Sequence, residues 1–176
     1  MIIFHLMKTL ILVRHAKSSW ENPDLLDFDR PLNERGKKDV PKMAARFREK
    51  HIAPAIIFTS SAKRALKTCN LFSEASGYPE TSIHTDSGLY HASDEALLNF
   101  VRNLRDDFNE VMIFGHNPGL TAFAESLTSV VLENIPTCGI VAIQFPLNEW
   151  KKVSPATGKL LFFDFPKKNK SGEQHT

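Results

Sequence analysis

Cysteine is scarce in this sequence of 176 residues, which holds two, Cys69 and Cys138. Two are too few for a disulfide framework, and neither belongs to a C-x-x-C pair of the kind that binds zinc or runs redox chemistry. That usage points to a reducing cytoplasm. Charge of one sign is scarce too: 22 Lys and Arg stand against 20 Asp and Glu, a net charge of +2. Duplex-binding proteins carry a strong basic footprint, so nucleic-acid binding is disfavoured as a class. No apolar run approaches the roughly 18 residues of a membrane span, and no repeat or low-complexity block appears.

The N-terminal stretch from Met1 to Val13 is apolar enough to resemble the hydrophobic part of a signal peptide. His5 and Lys8 interrupt it, however, no basic stretch precedes it, and Arg14-His15-Ala16-Lys17 follows where a small-residue cleavage site belongs. Met7 begins MKTLILVRHAK, so the sequence is consistent with a start at either methionine. With 42% hydrophobic residues there is material for one substantial core, and the length suits one domain. Residues 1–166 are expected to form it, and the polar segment from Lys167 to Thr176, which lacks anchors, to fray.

Apolar runs alternate with amphipathic stretches, which predicts an α/β fold: a three-layer α/β/α sandwich with a mostly parallel central sheet. Thr9–Val13, Ala55–Phe58 and Val111–Phe114 are short β-branched or aromatic runs without alternation, as expected of strands buried on both faces. Gly139–Phe145 and Leu160–Phe165 read as two later strands, joined by Asn148–Gly158. From Asn33 to Lys50, Val40, Met43, Ala44 and Phe47 form a helical stripe, in which Pro41 is expected to kink or divide the helix. Ser60 or Ser61 is expected to cap a second helix that places Arg64 in its first turn and ends at Gly77 and Pro79. Ser93 caps a third, with Asp94 and Glu95 where the dipole favours negative charge. Asn117 reads as the cap of a fourth, with Pro118 at its first position.

Three times the chain places phosphate-capable residues just past a buried strand. The stretches are Leu12-Val13-Arg14-His15-Ala16-Lys17, Phe58-Thr59-Ser60-Ser61-Ala62-Lys63-Arg64 and Phe114-Gly115-His116-Asn117-Pro118-Gly119. Ligands of open α/β sheets bind outside the carboxyl ends of the strands. If these strands are neighbours, Arg14, His15, Arg64 and His116 converge, and helix N-termini add backbone donors for an anion. A histidine can serve as nucleophile toward phosphorus. Arg14 and Arg64 can hold equatorial oxygens bidentately, and His116, when protonated, adds a third positive donor. Such positioning and charge stabilisation is most of what phosphoryl transfer asks of a protein. Taken singly, each residue has an ordinary structural explanation; their joint placement favours the functional one.

These motifs, Leu-Val-Arg-His-Ala, Thr-Ser-Ser-Ala-Lys-Arg-Ala-Leu-Lys-Thr and Gly-His-Asn-Pro-Gly, resemble the phosphoglycerate mutase-like histidine phosphatase superfamily, in its short branch of SixA-type phosphohistidine phosphatases. Arg30-Pro31-Leu32-Asn33-Glu34-Arg35-Gly36 is similar to the loop before the family's first helix, and Trp150 with Pro155, Gly158 and Leu160 to its closing hairpin. The resemblance implies His15 as the phosphorylated nucleophile, a phosphate pocket of Arg14, Arg64 and His116, no metal and no organic cofactor. Lys17, Arg30 and Asn117 are further candidates for substrate contact, with an ion pair to Asp27 or Asp29 as the alternative for Arg30.

Two departures matter. The family's usual glycine after the nucleophile is Ala16 here. Larger members that cleave sugar or alcohol phosphates also supply a carboxylate as general acid where this chain reads Gly88-Leu89-Tyr90-His91-Ala92-Ser93. An alkoxide leaving group benefits from a positioned proton donor, whereas phosphohistidine leaves as neutral imidazole once its ring is protonated from solvent. The missing acid therefore points to a P–N bond, as in phosphohistidine on a protein, or to another good leaving group. His91 could donate in the acid's stead, although a structural role is the simpler reading. The competing functions are a phosphatase for small phosphomonoesters and a module that binds phosphate without turnover. A metal site on His15 and His116 lacks an accompanying carboxylate or cysteine at ligand spacing.

Overall fold

Six runs of the chain are extended in the computed structural model, which describes residues 7–168. They are β1 (Lys8–Arg14), β2 (Ile56–Ser60), β3 (Ile83–Asp86), β4 (Glu110–Gly115), β5 (Ile140–Phe145) and β6 (Lys159–Asp164). They form one sheet in the order β3-β2-β4-β1-β5-β6. The first four in that order run parallel, while β5 is antiparallel to both β1 and β6. The intervening helices are α1 (Glu34–Arg48), α2 (Lys63–Ser76), α3 (Asp94–Arg102) and α4 (Gly119–Thr128).

The central strands read as continuous apolar runs because successive side chains enter different cores. Leu10 and Leu12 of β1, Val111 and Ile113 of β4 and Val141 and Ile143 of β5 pack with Leu97 and Val101 of α3 and Leu120 and Phe123 of α4. The residues between them, Ile11, Val13, Met112, Phe114, Ile140 and Ala142, pack against Val40, Met43 and Phe47 of α1 and Cys69 and Phe72 of α2. The result is the expected three-layer arrangement, with its sheet mixed at the β5–β6 edge. Phe72 lies between Phe47 and Phe114, at ring-centroid distances of 5.7 and 5.5 Å. Burying such a side chain contributes about 2 kcal/mol.

Several local expectations hold. Ser93 caps α3 by accepting from Ala96 N–H; α1 is capped as well, by Asn33 accepting from Gly36 N–H, a cap that was not among the expectations. Gly77 ends α2 at φ 76°, the left-handed conformation that favours glycine there. Both cysteines are buried and free.

Others are corrected. Pro41 does not divide α1, which is continuous through it. It sits on the exposed side, as does Lys37, whose carbonyl loses its helical donor but remains open to solvent. Neither Ser60 nor Ser61 caps α2: the capping position is Ala62, whose N–H donates to Ser60 Oγ at 3.2 Å. Pro118, not Asn117, precedes the first residue of α4, and no side chain caps that helix. Strand β3 has no counterpart among the expected strands because its residues, Ile-His-Thr-Asp, carry no apolar run; it is an edge strand with two exposed positions. Met1, His5 and most of the C-terminal tail lie outside the described residues.

Candidate active site

The strands that carry the three motifs, β2, β4 and β1, are direct and parallel neighbours. Arg14 is opposite Gly115 in the ladder, so the segments after all three strands leave the sheet at one edge. There α2 and α4 begin. The backbone after β1 is pinned on both sides: His15 N–H donates to Gly115 O and Arg14 N–H to Gly139 O, both at 3.1 Å. From α2, Thr68 Oγ1 accepts Ala16 N–H at 3.0 Å and donates to Arg64 O at 2.7 Å. One hydroxyl thus ties the His15 segment to the helix that bears Arg64. Ala16 itself is fully buried, its methyl accommodated where the family usually has glycine.

His15 is 8% exposed. Its Nδ1 bonds the carbonyl of Ala16 at 2.8 Å, and Arg64 Nε donates to its Nε2 at 3.3 Å. These bonds assign the tautomer: the proton is on Nδ1, and the Nε2 lone pair faces the Arg64 guanidinium. Burial lowers the pKa of His15 to about 4, with the charges of Arg64, Arg14 and Arg30 acting in the same direction and the Ala16 bond opposing. The ring is therefore a neutral nitrogen base at ordinary pH.

His116 lies beside it, with ring centroids 5.2 Å apart, and its Nε2 bonds Ser60 Oγ at 2.8 Å. Burial, followed by His15 and Arg64, lowers its pKa to about 3. In the free protein it is a neutral imidazole and not the cationic donor considered from sequence. Arg14 Nη1 donates to Ile135 O at 2.8 Å. Two buried nitrogens here, Arg14 Nε and His116 Nδ1, have no hydrogen-bond partner. Buried polar atoms are ordinarily paired, and an oxyanion held between Arg14, Arg64 and His116 would supply oxygens to them.

The other predicted contacts lie elsewhere. Lys17 is exposed. Arg30 donates to Ser19 O, Asp27 Oδ1 and Ser18 Oγ, and its guanidinium stacks on Trp20 at 3.2 Å from the ring centroid. All of this serves to order the loop after β1, as the ion-pair alternative anticipated. Asn117 turns its amide to Asn134 Oδ1 and Ile135 O, and its carbonyl oxygen accepts from Thr121.

Asp27 was missed as a site residue. A 3-10 turn at Asp27–Asp29 brings it to Arg64, which donates to its backbone carbonyl from Nη1 and to Oδ2 from Nη2, at 2.5 and 2.9 Å. Tyr90 Oη donates to Oδ2 at 2.7 Å, and His91 Nε2 lies 2.9 Å from it. Burial pushes the Asp27 pKa upward, but hydrogen bonds from His91, Tyr90, Arg64 and Arg30 together outweigh it and hold the carboxylate ionised well below the usual range. Sequence offered only its spacing of three from Arg30. Beside this centre, a groove of about 490 Å³ runs between the start of α1 and α2, lined by Leu32, Asn33, Lys63, Leu66 and Lys67 among others.

The family model of the histidine phosphatase superfamily (branch 1) matches residues 10–93, which include Arg14, His15 and Arg64. A structure assigned to the phosphohistidine phosphatase SixA of Agrobacterium tumefaciens superposes with a TM-score of 0.75 and 26% identity, covering 90% of this chain and 98% of that one. Over residues 10–93 the chain matches the histidine phosphatase superfamily. The protein histidine phosphatase SixA complexed with tungstate shares the superfamily fold, with a TM-score of 0.76 at 16% identity over 90% of this chain and 97% of that one. An uncharacterised chloroplastic protein of Arabidopsis thaliana is 29% identical over 159 residues, 86% of this chain and 72% of its own length. The family match and the shared fold support phosphatase activity and a phosphorylated substrate. Among the described residues, no helix is long and apolar enough to cross a membrane, and no three His, Cys, Asp or Glu side chains are grouped to hold a metal ion.

Proposed function

We propose that this chain is a phosphatase that works through a phosphohistidine intermediate on His15 and acts on phosphohistidine in proteins. The observation that carries this reading is His15 itself: a buried imidazole, neutral, with Nδ1 bound to a carbonyl and Nε2 facing a guanidinium. Such a nitrogen can attack phosphorus without first losing a proton. Arg14 and Arg64 hold the equatorial oxygens and offset their charge, and His116 donates to one of them. Water then attacks the phosphorylated His15 and releases inorganic phosphate.

A protein substrate is favoured by the loop that carries Asp27. Trp20 and Leu26 are each 72% exposed there, with Leu25 and Phe28 partly exposed. Clustered apolar residues beside a polar pocket are a feature of surfaces that meet proteins. The test is phosphate release from a phosphohistidine protein and from an aryl phosphate, for the native chain and for His15→Ala. Turnover of both, with preference for phosphohistidine and none by the variant, is the expected result. Phosphate binding without turnover of either substrate would instead make the chain a binding module.

A further inference from the structure

The phosphatase reading leaves unused three residues gathered at the mouth of the pocket: Asp27, Tyr90 and His91. His91 lies nearly flat on His116, with ring centroids 5.2 Å apart and an interplanar angle of 14°. Its Nε2 is 2.9 Å from Asp27 Oδ2 and 3.5 Å from Arg64 Nη2, while Arg64 Nε is 3.3 Å from His15 Nε2. One guanidinium therefore touches the nucleophile through one nitrogen and a second imidazole through another. A phosphoryl group held by that guanidinium would lie within reach of both rings. The backbone of His91 has φ 50°, a left-handed conformation uncommon for a residue with a side chain and often found where function fixes a residue. Its side chain is 48% exposed, which leaves it open to an incoming group.

We propose that His91, oriented by Asp27, donates a proton to the leaving group, and that the site therefore hydrolyses alkyl phosphomonoesters as well as phosphohistidine. The proposal rests on His15 being the nucleophile. As His15 Nε2 bonds to phosphorus, the P–O bond to the alcohol breaks and its electron pair stays on the oxygen, which takes a proton from the His91 imidazolium. The alcohol leaves neutral. A water oxygen then bonds to phosphorus, a water proton goes to His91, and the P–N bond breaks to return the electron pair to His15 Nε2. Asp27 is a positioning residue: it accepts one N–H of the imidazolium and leaves the other to be transferred. The charged and titratable groups facing His91 are Asp27 from the loop after β1, Tyr90 beside it, Arg64 from α2 and His116 from the turn after β4.

The test compares kcat/KM of the native chain, His91→Gln and Asp27→Asn. The substrates are aryl phosphates of rising leaving-group pKa, an alkyl phosphate and a phosphohistidine protein. His91→Gln should lose about 100-fold or more on the alkyl ester, within the range of general acid catalysis, and the loss should shrink steadily as the leaving group improves. Asp27→Asn should lower kcat on the alkyl ester more than it raises KM and show the same dependence on the leaving group, because it frees the ring that Asp27 holds in place. The slope across substrates is internal to each variant and does not depend on how much of it folds. An equal loss on every substrate, no loss on any, or an Asp27→Asn effect that is the same for every leaving group would each overturn the proposal. Turnover of phosphohistidine but of no alkyl ester would also sink it while sparing the proposed function; release from no substrate would sink both.

Discussion

Two neutral histidines buried among arginines give the fold a specific weakness to acid. As pH falls below 6.5 the unfolded chain takes up protons on these imidazoles, while folded His15 resists protonation until about pH 4. Protons bound preferentially by the unfolded state lower stability, so the contribution is nil above pH 7 and grows through the window between the two values. For His15 the full cost is about 3 kcal/mol, of which about 2 kcal/mol falls between pH 7 and pH 4.5. Carboxylates such as Glu34 and Glu149 titrate alike in the native chain and in a His15 variant, so the difference between the two reports the imidazole. Asp27, held down by its hydrogen bonds, starts to give up its contribution only below the ordinary value of 3.8. Urea unfolding followed by the fluorescence of buried Trp150 can be run from pH 7 to pH 4.5 on the native chain and on His15→Gln, which removes the titrating ring and keeps a polar side chain. The native protein should lose about 2 kcal/mol more than the variant over that range. Parallel losses would mean that burial does not hold His15 neutral, and the account of the nucleophile would fail with it.

Two further outcomes follow from the bracing of the site. Arg64→Lys keeps a cation but cannot contact His15 Nε2 and both Asp27 oxygens together, so kcat/KM on an aryl phosphate should fall about 100-fold or more; an activity within threefold of native would contradict the pocket geometry. Thr68→Val leaves the buried Ala16 N–H without its acceptor and should cost about 1–3 kcal/mol in urea unfolding. It should also lower kcat more than it raises KM, because it loosens the segment that orients His15.

What could be read directly from the residues was whatever adjacent residues encode. Ile11, Leu12 and Val13 announce a strand buried on both faces without reference to any partner, and Ser93 and Gly77 mark helix ends through bonds to residues a few positions away. The placement of Arg14, His15, Arg64 and His116 at strand ends followed from the same local signals, and only the adjacency of β2, β4 and β1 had to be supplied. Features that depend on distant chain segments had no such trace. Pro41 was tolerated because its side of α1 faces solvent, which local propensity does not encode. Asp27 meets Arg64, Tyr90 and His91 across separations of 37, 63 and 64 residues, from a short turn with no periodicity to reveal it. The neutrality of His15 and His116 is likewise a tertiary property. An imidazole carries its ordinary pKa until the fold removes water from it and brings other charges near, so the sequence named the two rings and the folded surroundings set their protonation state.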